Sequence, residues 1–489
     1  MKLSDLLPLE GIYSTFAAEK ITVTGICDHT KDLERGMLFI AKKGAKTDAT
    51  TLLDEIEKKG AAALLLAMGS TLPRKTPLPC FYAHDLAIAE AKIWERYCGD
   101  PARKLRIFGV TGTNGKTSTA EFLAHILNAS DIPTAYVGTL GIHFGKHVID
   151  TGGDTMTTPP PSVLYKALRR LVDLGAKALV MELSSHAAIK KRVPLLTFES
   201  LIFTNLSEDH LDFHGTMENY FLAKKSLFAQ TRLAIINKDD DYGERLLSEL
   251  SIEKLSVAII EDADYTATDL HENGYESTQY TCVSPYGEVP VFYPFFGAFH
   301  VYNTLLAIAA AFSAGLCPEQ IRQALSTLKP PKGRLEVLPT GKDYTVIIDY
   351  AHTPDAMENA IKAVKQKTRG SLFVLFGAGG EREREKRPKM GRIATSLATH
   401  VFITEDNPRK EDPARIFEDI LSGIKDRENY SVIPCRVLAI QAALDALKVG
   451  DTLLLLGKGH EEYFLTEKGK IPFSERAAVY EYLKKKDKA

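Results

Sequence analysis

The run Ile107-Phe-Gly-Val-Thr-Gly-Thr-Asn-Gly-Lys-Thr117 constrains this chain more than any other stretch. An apolar segment (Ile107, Phe108, Val110) leads into a glycine-rich turn, then Lys116-Thr117, then a helical pattern through Phe122, Leu123 and Ile126. Strand, loop and helix in that order aim the free N–H groups and the positive end of the helix at one anion. Glycines let the backbone come close to a polyphosphate. Lys116 supplies a cation for the outer phosphates, and Thr117 a hydroxyl for the magnesium that accompanies them. Gly112, Thr113, Asn114, Gly115 and Ser118 complete the candidate cradle. Gly109 and Gly115 stand one residue further apart than in the common phosphate loop, with Gly112 between them. A glycine-rich turn that binds nothing is the competing reading, but Gly-Lys-Thr sits at the helix start, where the mechanism needs it.

The 489 residues imply about two to four domains at ~150 residues each. Apolar content of 45% and charged content of 25% are those of an ordinary globular protein. A net charge of −2 creates no strong field for nucleic acid or an anionic membrane. Cys27, Cys80, Cys98, Cys282, Cys317 and Cys435 are dispersed without a C-x-x-C pair, which argues for reduced thiols and against a disulfide framework or zinc site. Asp5 and Pro8 interrupt the N-terminus before any long apolar run, so no secretory signal is expected. No apolar stretch approaches the ~20 residues needed to span a bilayer. A cytoplasmic protein, working as a monomer without membrane insertion or nucleic acid, is the expectation.

Short apolar runs alternate with helical patterns over most of the chain. Met37–Ala41 and Ala61–Leu66 read as strands and Leu86–Tyr97 as a helix, in a small mixed α/β unit that ends near Asp100-Pro101. Arg106–Val110, Thr134–Val137, Ala178–Glu182, Leu201–Thr204 and Leu233–Ile236 read as strands covered on both faces, hence a parallel sheet. Residues 265–296 read as an antiparallel insert. Beyond Lys329-Pro-Pro-Lys-Gly333, strands are expected at Tyr344–Ile348, Ser371–Phe376, His400–Thr404 and Asp451–Leu456. The fold class is therefore α/β in three domains: a small mixed α/β domain at 1–102, a central phosphate-loop parallel-sheet domain at 103–330, and a Rossmann-like α/β domain at 331–489.

Parallel sheets bind ligands at the carboxyl ends of their strands, and four such ends carry clustered polar groups. Glu182 closes one strand and is followed by Ser184, Ser185 and His186; beside a phosphate loop it is a candidate magnesium ligand. Glu208, Asp209, His210, Asp212 and His214 crowd after another, and His210 is the first choice among them for metal. Asp349, Tyr350 and His352 close a third. Asp406-Asn-Pro-Arg409 follows the fourth and reads either as a plain turn or as a turn aiming an arginine at a carboxylate. Lys224, on a helix beginning near Met217, reads from its own residues as a solvated surface charge.

Taken together, the motifs resemble those of the Mur ligases. The run Gly109–Thr117, with its longer glycine spacing, is followed in that family's order by Thr157-Thr-Pro159, Met181-Glu-Leu-Ser-Ser-His186, Phe203–Gly215, Gly297 with Asn303, Gly333-Arg334 and Asp349-Tyr-Ala-His-Thr-Pro354. Arg387-Pro388, Asp406-Asn-Pro-Arg409 and Gly457-Lys-Gly-His-Glu461 resemble the MurE branch, which adds the third peptide residue to UDP-N-acetylmuramoyl-L-alanyl-D-glutamate. The resemblance implies ATP-dependent amide formation through an acyl phosphate, with catalysis from positioning and charge stabilisation. It implies Lys116, His210 and Lys224 as catalytic residues, and two magnesium ions held by Thr117, Glu182, His210 and Lys224, the last as a carbamate derived from carbon dioxide. It implies nucleotide contacts at Asn303, Arg334 and Asp349. Thr157, Thr158, Ser184, Lys190 and Arg192 would meet the UDP-muramoyl dipeptide. Arg387, Asp406, Asn407, Pro408, Arg409, Gly457 and Glu461 would meet the incoming amino acid. An arginine in that tetrapeptide favours meso-diaminopimelate over lysine, which lacks a second carboxylate.

The departures from the family lie mainly near the N-terminus. Asp28-His-Thr30 stands where Asp-Ser-Arg is usual, Asp48-Ala-Thr50 where Asp-Gly-His is usual, and Lys190 where glutamine is usual. They leave room for a ligase with another carboxylate donor, while a lysine-adding relative is the alternative on the acceptor side. A nucleotide-gated switch without ligation is the alternative from a different class.

Overall fold

The computed structural model describes residues 1–7, 10–43, 48–151, 156–425 and 427–487. By internal contact the chain divides into two compact units. The first comprises Met1–Thr111, Asp131–Leu201 and Ala223–Arg232, and the second comprises Gly112–Ser130, Ile202–Leu222 and Leu233–Ala489. One break falls inside the glycine-rich turn, between Thr111 and Gly112.

The first unit opens with a five-stranded sheet. Ile26–Cys27, Leu38–Ile40, Ala63–Ala67 and Cys80–Ala83 run parallel, and Ile12–Tyr13 adds antiparallel at the edge. Helix Leu86–Tyr97 has the bounds that its apolar spacing predicts, and Asp85 caps it by accepting from the N–H groups of Ala87 and Ile88. Its Glu90 is buried and pairs with Lys42, whose ammonium also meets Asp28 at 2.6 Å. The same unit carries Arg106–Thr111, Ala178–Glu182 and Thr134–Gly138 side by side in parallel. Every residue of Ala178–Glu182 is buried, as the continuous apolar run requires.

In the second unit, Lys116–Ala129 is the helix after the glycine-rich turn. Thr231–Asn237 pairs in parallel with Glu253–Ala258, which leads to the antiparallel strands Tyr265–Asn273, Ser277–Ser284 and Gly287–Tyr293. A six-stranded sheet follows, with Thr345–Asp349, Thr452–Leu456, Leu372–Phe376, His400–Ile403 and Tyr430–Val432 parallel and Glu336–Leu338 antiparallel at one edge. Its strands bury both faces. Ile347, Val374 and Leu454 pack with Met357, Ile361 and Met390 on one side. Val346, Leu375 and Leu453 pack with Ile440, Leu444 and Val479 on the other. The α/β class holds throughout. The sequence reading missed a two-stranded hairpin, Tyr463–Thr466 with Gly469–Pro472. Among the described residues no helix is long and apolar enough to cross a membrane.

Candidate active site

The glycine-rich turn is built to leave a concave space. Lys116 starts its helix and folds back so that Nζ donates to Gly112 O at 3.0 Å and Thr113 O at 2.8 Å. Gly112 and Gly115 have φ of 148° and 83°, a backbone only glycine adopts without strain. A Cβ at Gly115 would stand 2.5 Å from Asn303 Oδ1. The loop is pinned from outside: Asn114 N–H donates to Asn205 Oδ1 at 2.9 Å, and Thr113 N–H to Asn205 O at 2.9 Å. Asn114 Nδ2 also donates to Asp355 Oδ2 at 3.0 Å.

Several expected nucleotide residues converge on this turn. Asn303 Oδ1 accepts from Thr119 Oγ1 at 3.2 Å. Arg334 Nη2 donates to Thr117 Oγ1 at 3.2 Å, and the guanidinium lies 4.6 Å from the Tyr350 ring centroid. Asp349 is buried and accepts from the N–H groups of Leu335 and Ala351, each at 2.8 Å. Burial raises its pKa, with Arg334 opposing. Thr117 and Ser118 are buried in the first turn of the helix.

His210 adopts a left-handed conformation, φ 56°, and its Nε2 lies 3.3 Å from Asp209 Oδ2. Burial works against the Asp209 charge, but His210, Lys386, His352 and Lys116 together lower its pKa. Glu208 turns to Lys389 instead.

In the first unit Glu182 is fully buried with its carboxylate held by donors: the Tyr136 hydroxyl, Thr139 N–H at 2.9 Å and Thr139 Oγ1 at 3.1 Å. Thr157 Oγ1 meets Thr139 Oγ1 at 3.1 Å. Thr158 Oγ1 donates to Glu182 O at 2.9 Å and accepts from Ser184 N–H at 2.9 Å. Arg192 Nη1 donates to Thr158 O at 2.6 Å. Thr157, Thr158, Glu182, Ser184 and Arg192 therefore form one cluster. Lys190 is exposed at the end of the short helix Ser185–Ile189. Lys224 is 1% exposed, so its residues-alone reading as a surface charge is overturned. A lysine is buried only where something rewards the loss of water.

The acceptor residues form a second cluster in the second unit. Asn407 Nδ2 donates to Glu461 Oε2 at 2.8 Å, and Asp406 Oδ1 accepts from Asn407 N–H at 2.7 Å. Gly457, with φ 104°, leaves room for Asp406, since a Cβ there would stand 2.8 Å from Asp406 Oδ2. Arg409 is left-handed, φ 54°, with its N–H on Leu465 O at 2.9 Å and Nη1 on Gly380 O at 2.6 Å. Among the described residues no carboxylate lies within ion-pair distance of Arg409. Burial, then the nearby Arg382, lower its pKa.

Arg387 differs from its expectation. It is fully buried, and its guanidinium is taken up by Glu411 at 2.7 Å, Asp419 at 2.8 Å and Gly379 O at 3.0 Å. It braces the loop before helix Lys386–Leu397, while Arg382, exposed in the same charged run, is the arginine beside Arg409. The run Glu381-Arg-Glu-Arg-Glu-Lys-Arg387 gives no periodic cue to which arginine turns inward.

Comparison with known proteins decides the family. The Mur ligase middle domain matches residues 110–311, and the Mur ligase glutamate ligase domain matches 333–459. The chain belongs to the Mur ligases. Among Mur ligases, it is 38% identical over 463 residues to the UDP-N-acetylmuramoyl-L-alanyl-D-glutamate--2,6-diaminopimelate ligase of Aquifex aeolicus, covering 94% of each chain. It is also 38% identical to the ligase of the same description from Synechococcus elongatus, over 97% of each. A solved structure of a ligase so described superposes with a TM-score of 0.69 at 27% identity, covering 100% of this chain and 99% of the other.

Proposed function

We propose that this Mur ligase joins meso-diaminopimelate to the D-glutamate side-chain carboxylate of UDP-N-acetylmuramoyl-L-alanyl-D-glutamate, driven by ATP, in peptidoglycan precursor synthesis. The observation that carries the choice of acceptor is Arg409, anchored by a carbonyl beside Arg382, with Asp406 and Glu461 in the same cluster. Two cations suit a carboxylate and two carboxylates suit an ammonium, which together describe an amino-acid end.

The glycine cradle fits a triphosphate: Lys116 rests on carbonyls that phosphate oxygens would replace as its partners, and helix Lys116–Ala129 begins at the cradle, so the positive end of its dipole favours an anion there. Glu182, held in a ready-made shell of donors, fits a hard-cation ligand. Thr117 and His210 in the second unit, and Glu182 and Lys224 as a carbamate in the first, are each suited to magnesium, which when bound neutralises phosphate charge. The γ-phosphoryl group passes to the glutamate carboxylate, breaking the bond to ADP. The acceptor amine, having lost a proton, attacks the acyl carbon, and inorganic phosphate leaves as the amide forms. Lys116 follows the moving phosphoryl charge. Arg334 and Asn303 orient the nucleotide, and Thr157, Thr158, Ser184 and Arg192 hold the dipeptide donor. We place the reaction in the cytosol, with the enzyme as a monomer.

The test is phosphate release from ATP with the UDP-muramoyl dipeptide plus meso-diaminopimelate, plus L-lysine, or with neither. Release that needs diaminopimelate supports the assignment. Release with lysine alone, or with neither acceptor, overturns it.

A further inference from the structure

Lys458 is a buried charge that the reaction above leaves without a role. It follows strand Thr452–Leu456 and is 0% exposed. Its ammonium donates to Tyr463 O at 2.6 Å, Asn407 Oδ1 at 2.7 Å and Glu461 Oε2 at 3.1 Å, and stands 3.4 Å from Asp406 Oδ1. Its three donors are therefore all placed. The Phe464 ring centroid lies 4.6 Å away and helps exclude water. Burial works against the Asp406 charge, and Lys458 is the largest of the groups that nevertheless keep its pKa low.

The charges near this lysine can be counted. Asp406 and Glu461 are negative, Lys458 and Arg409 positive, the exposed Glu381 and Arg382 beside Arg409 cancel each other, and the buried Arg436 and Glu475 cancel as an ion pair at 2.6 Å. The cluster is balanced, which matches an amino-acid end carrying one ammonium and one carboxylate. Without Lys458 it would hold one net negative charge, which matches a lone side-chain ammonium. Complementary charge sets selectivity more than raw affinity.

We propose that Lys458 is a specificity-determining positioning residue: it ties Asp406, Asn407 and Glu461 into one network and cancels one of the two carboxylates, setting the acceptor pocket for a zwitterionic end over a lone ammonium. The inference rests on the diaminopimelate assignment above.

The experiment is a competition between meso-diaminopimelate and L-lysine with wild type, Lys458→Met and Lys458→Gln, reading the two products by mass spectrometry. The product ratio reports relative kcat/KM and does not depend on how much of a variant is folded. Both variants are expected to lower the diaminopimelate-to-lysine ratio by about tenfold or more, with the KM for ATP unchanged. Equal loss with both acceptors at an unchanged ratio, or failure of both variants to bind ATP by calorimetry, makes Lys458 purely structural and overturns the proposal. Failure of the diaminopimelate assignment is separately visible, because wild type itself would then prefer lysine or accept neither, and the proposal would fall with it.

Discussion

Arg334 donates to the Thr117 hydroxyl at 3.2 Å across 217 positions of sequence. The hydroxyl thus steered is the one expected to face magnesium, and the guanidinium that steers it is seated against Tyr350 at 4.6 Å. One residue after the Gly333 turn is therefore coupled to the first turn of the phosphate-binding helix.

Arg334→Met should raise the KM for ATP by about 10- to 100-fold, the usual range for losing a charge-assisted contact. The KM for the acceptor should stay within about twofold. Initial-rate titrations of each substrate check this, and an equal rise in both would place Arg334 outside nucleotide binding.

Gly115→Ala addresses the cradle itself. The φ of 83° is left-handed, and the added Cβ would meet Asn303 Oδ1 at 2.5 Å. Strain of about 1–3 kcal/mol is expected at such a site, and the loop would be pushed from its place over the phosphates. The increase in melting temperature on adding ATP should be smaller in the variant than in wild type. An undiminished increase would show that the loop tolerates a side chain.

The elements legible in the sequence were those whose burial is uniform. Ala178–Glu182 and Leu86–Tyr97 have the bounds read from apolar spacing, because strands covered on both faces and a capped amphipathic helix leave direct periodic traces. The hairpin Tyr463–Thr466 with Gly469–Pro472 left none: its strands are four residues each, too short to show a period, and the second is mostly exposed. Yet it holds the Arg409 backbone, whose N–H donates to Leu465 O at 2.9 Å. Likewise, Lys224 looked solvent-bound because a lysine's burial depends on what faces it in space, and Arg387, expected at the acceptor from the resemblance alone, is met in space by Glu411 and Asp419, 24 and 32 positions further on.

Lys224→Ala should cut turnover by about 100-fold or more if the carbamate holds a magnesium ion in the transition state. Supplying acetate or formate should restore part of the activity, since a small carboxylate can take the place of the missing anion. Phosphate release with and without the added acid is the measurement. Turnover equal to wild type would remove Lys224 from the metal site.

His300 gives a pH dependence with a definite sign. It is 0% exposed and ringed by Phe122, Phe295 and Phe299. Burial, and then the charge of Arg334, take its pKa from 6.5 down to about 3. The folded chain thus refuses a proton that the unfolded chain accepts below pH 6.5. The His300 contribution to stability is complete above that value and falls as the pH drops toward 3. Between pH 7 and pH 5 the loss amounts to about 2 kcal/mol for this one group. Other buried groups titrate in the same range, so the test is a difference: urea denaturation of wild type and His300→Gln at both pH values. Wild type should lose about 2 kcal/mol more than the variant on acidification. Parallel losses in the two proteins would show that His300 takes up its proton in the folded state as readily as in the unfolded chain.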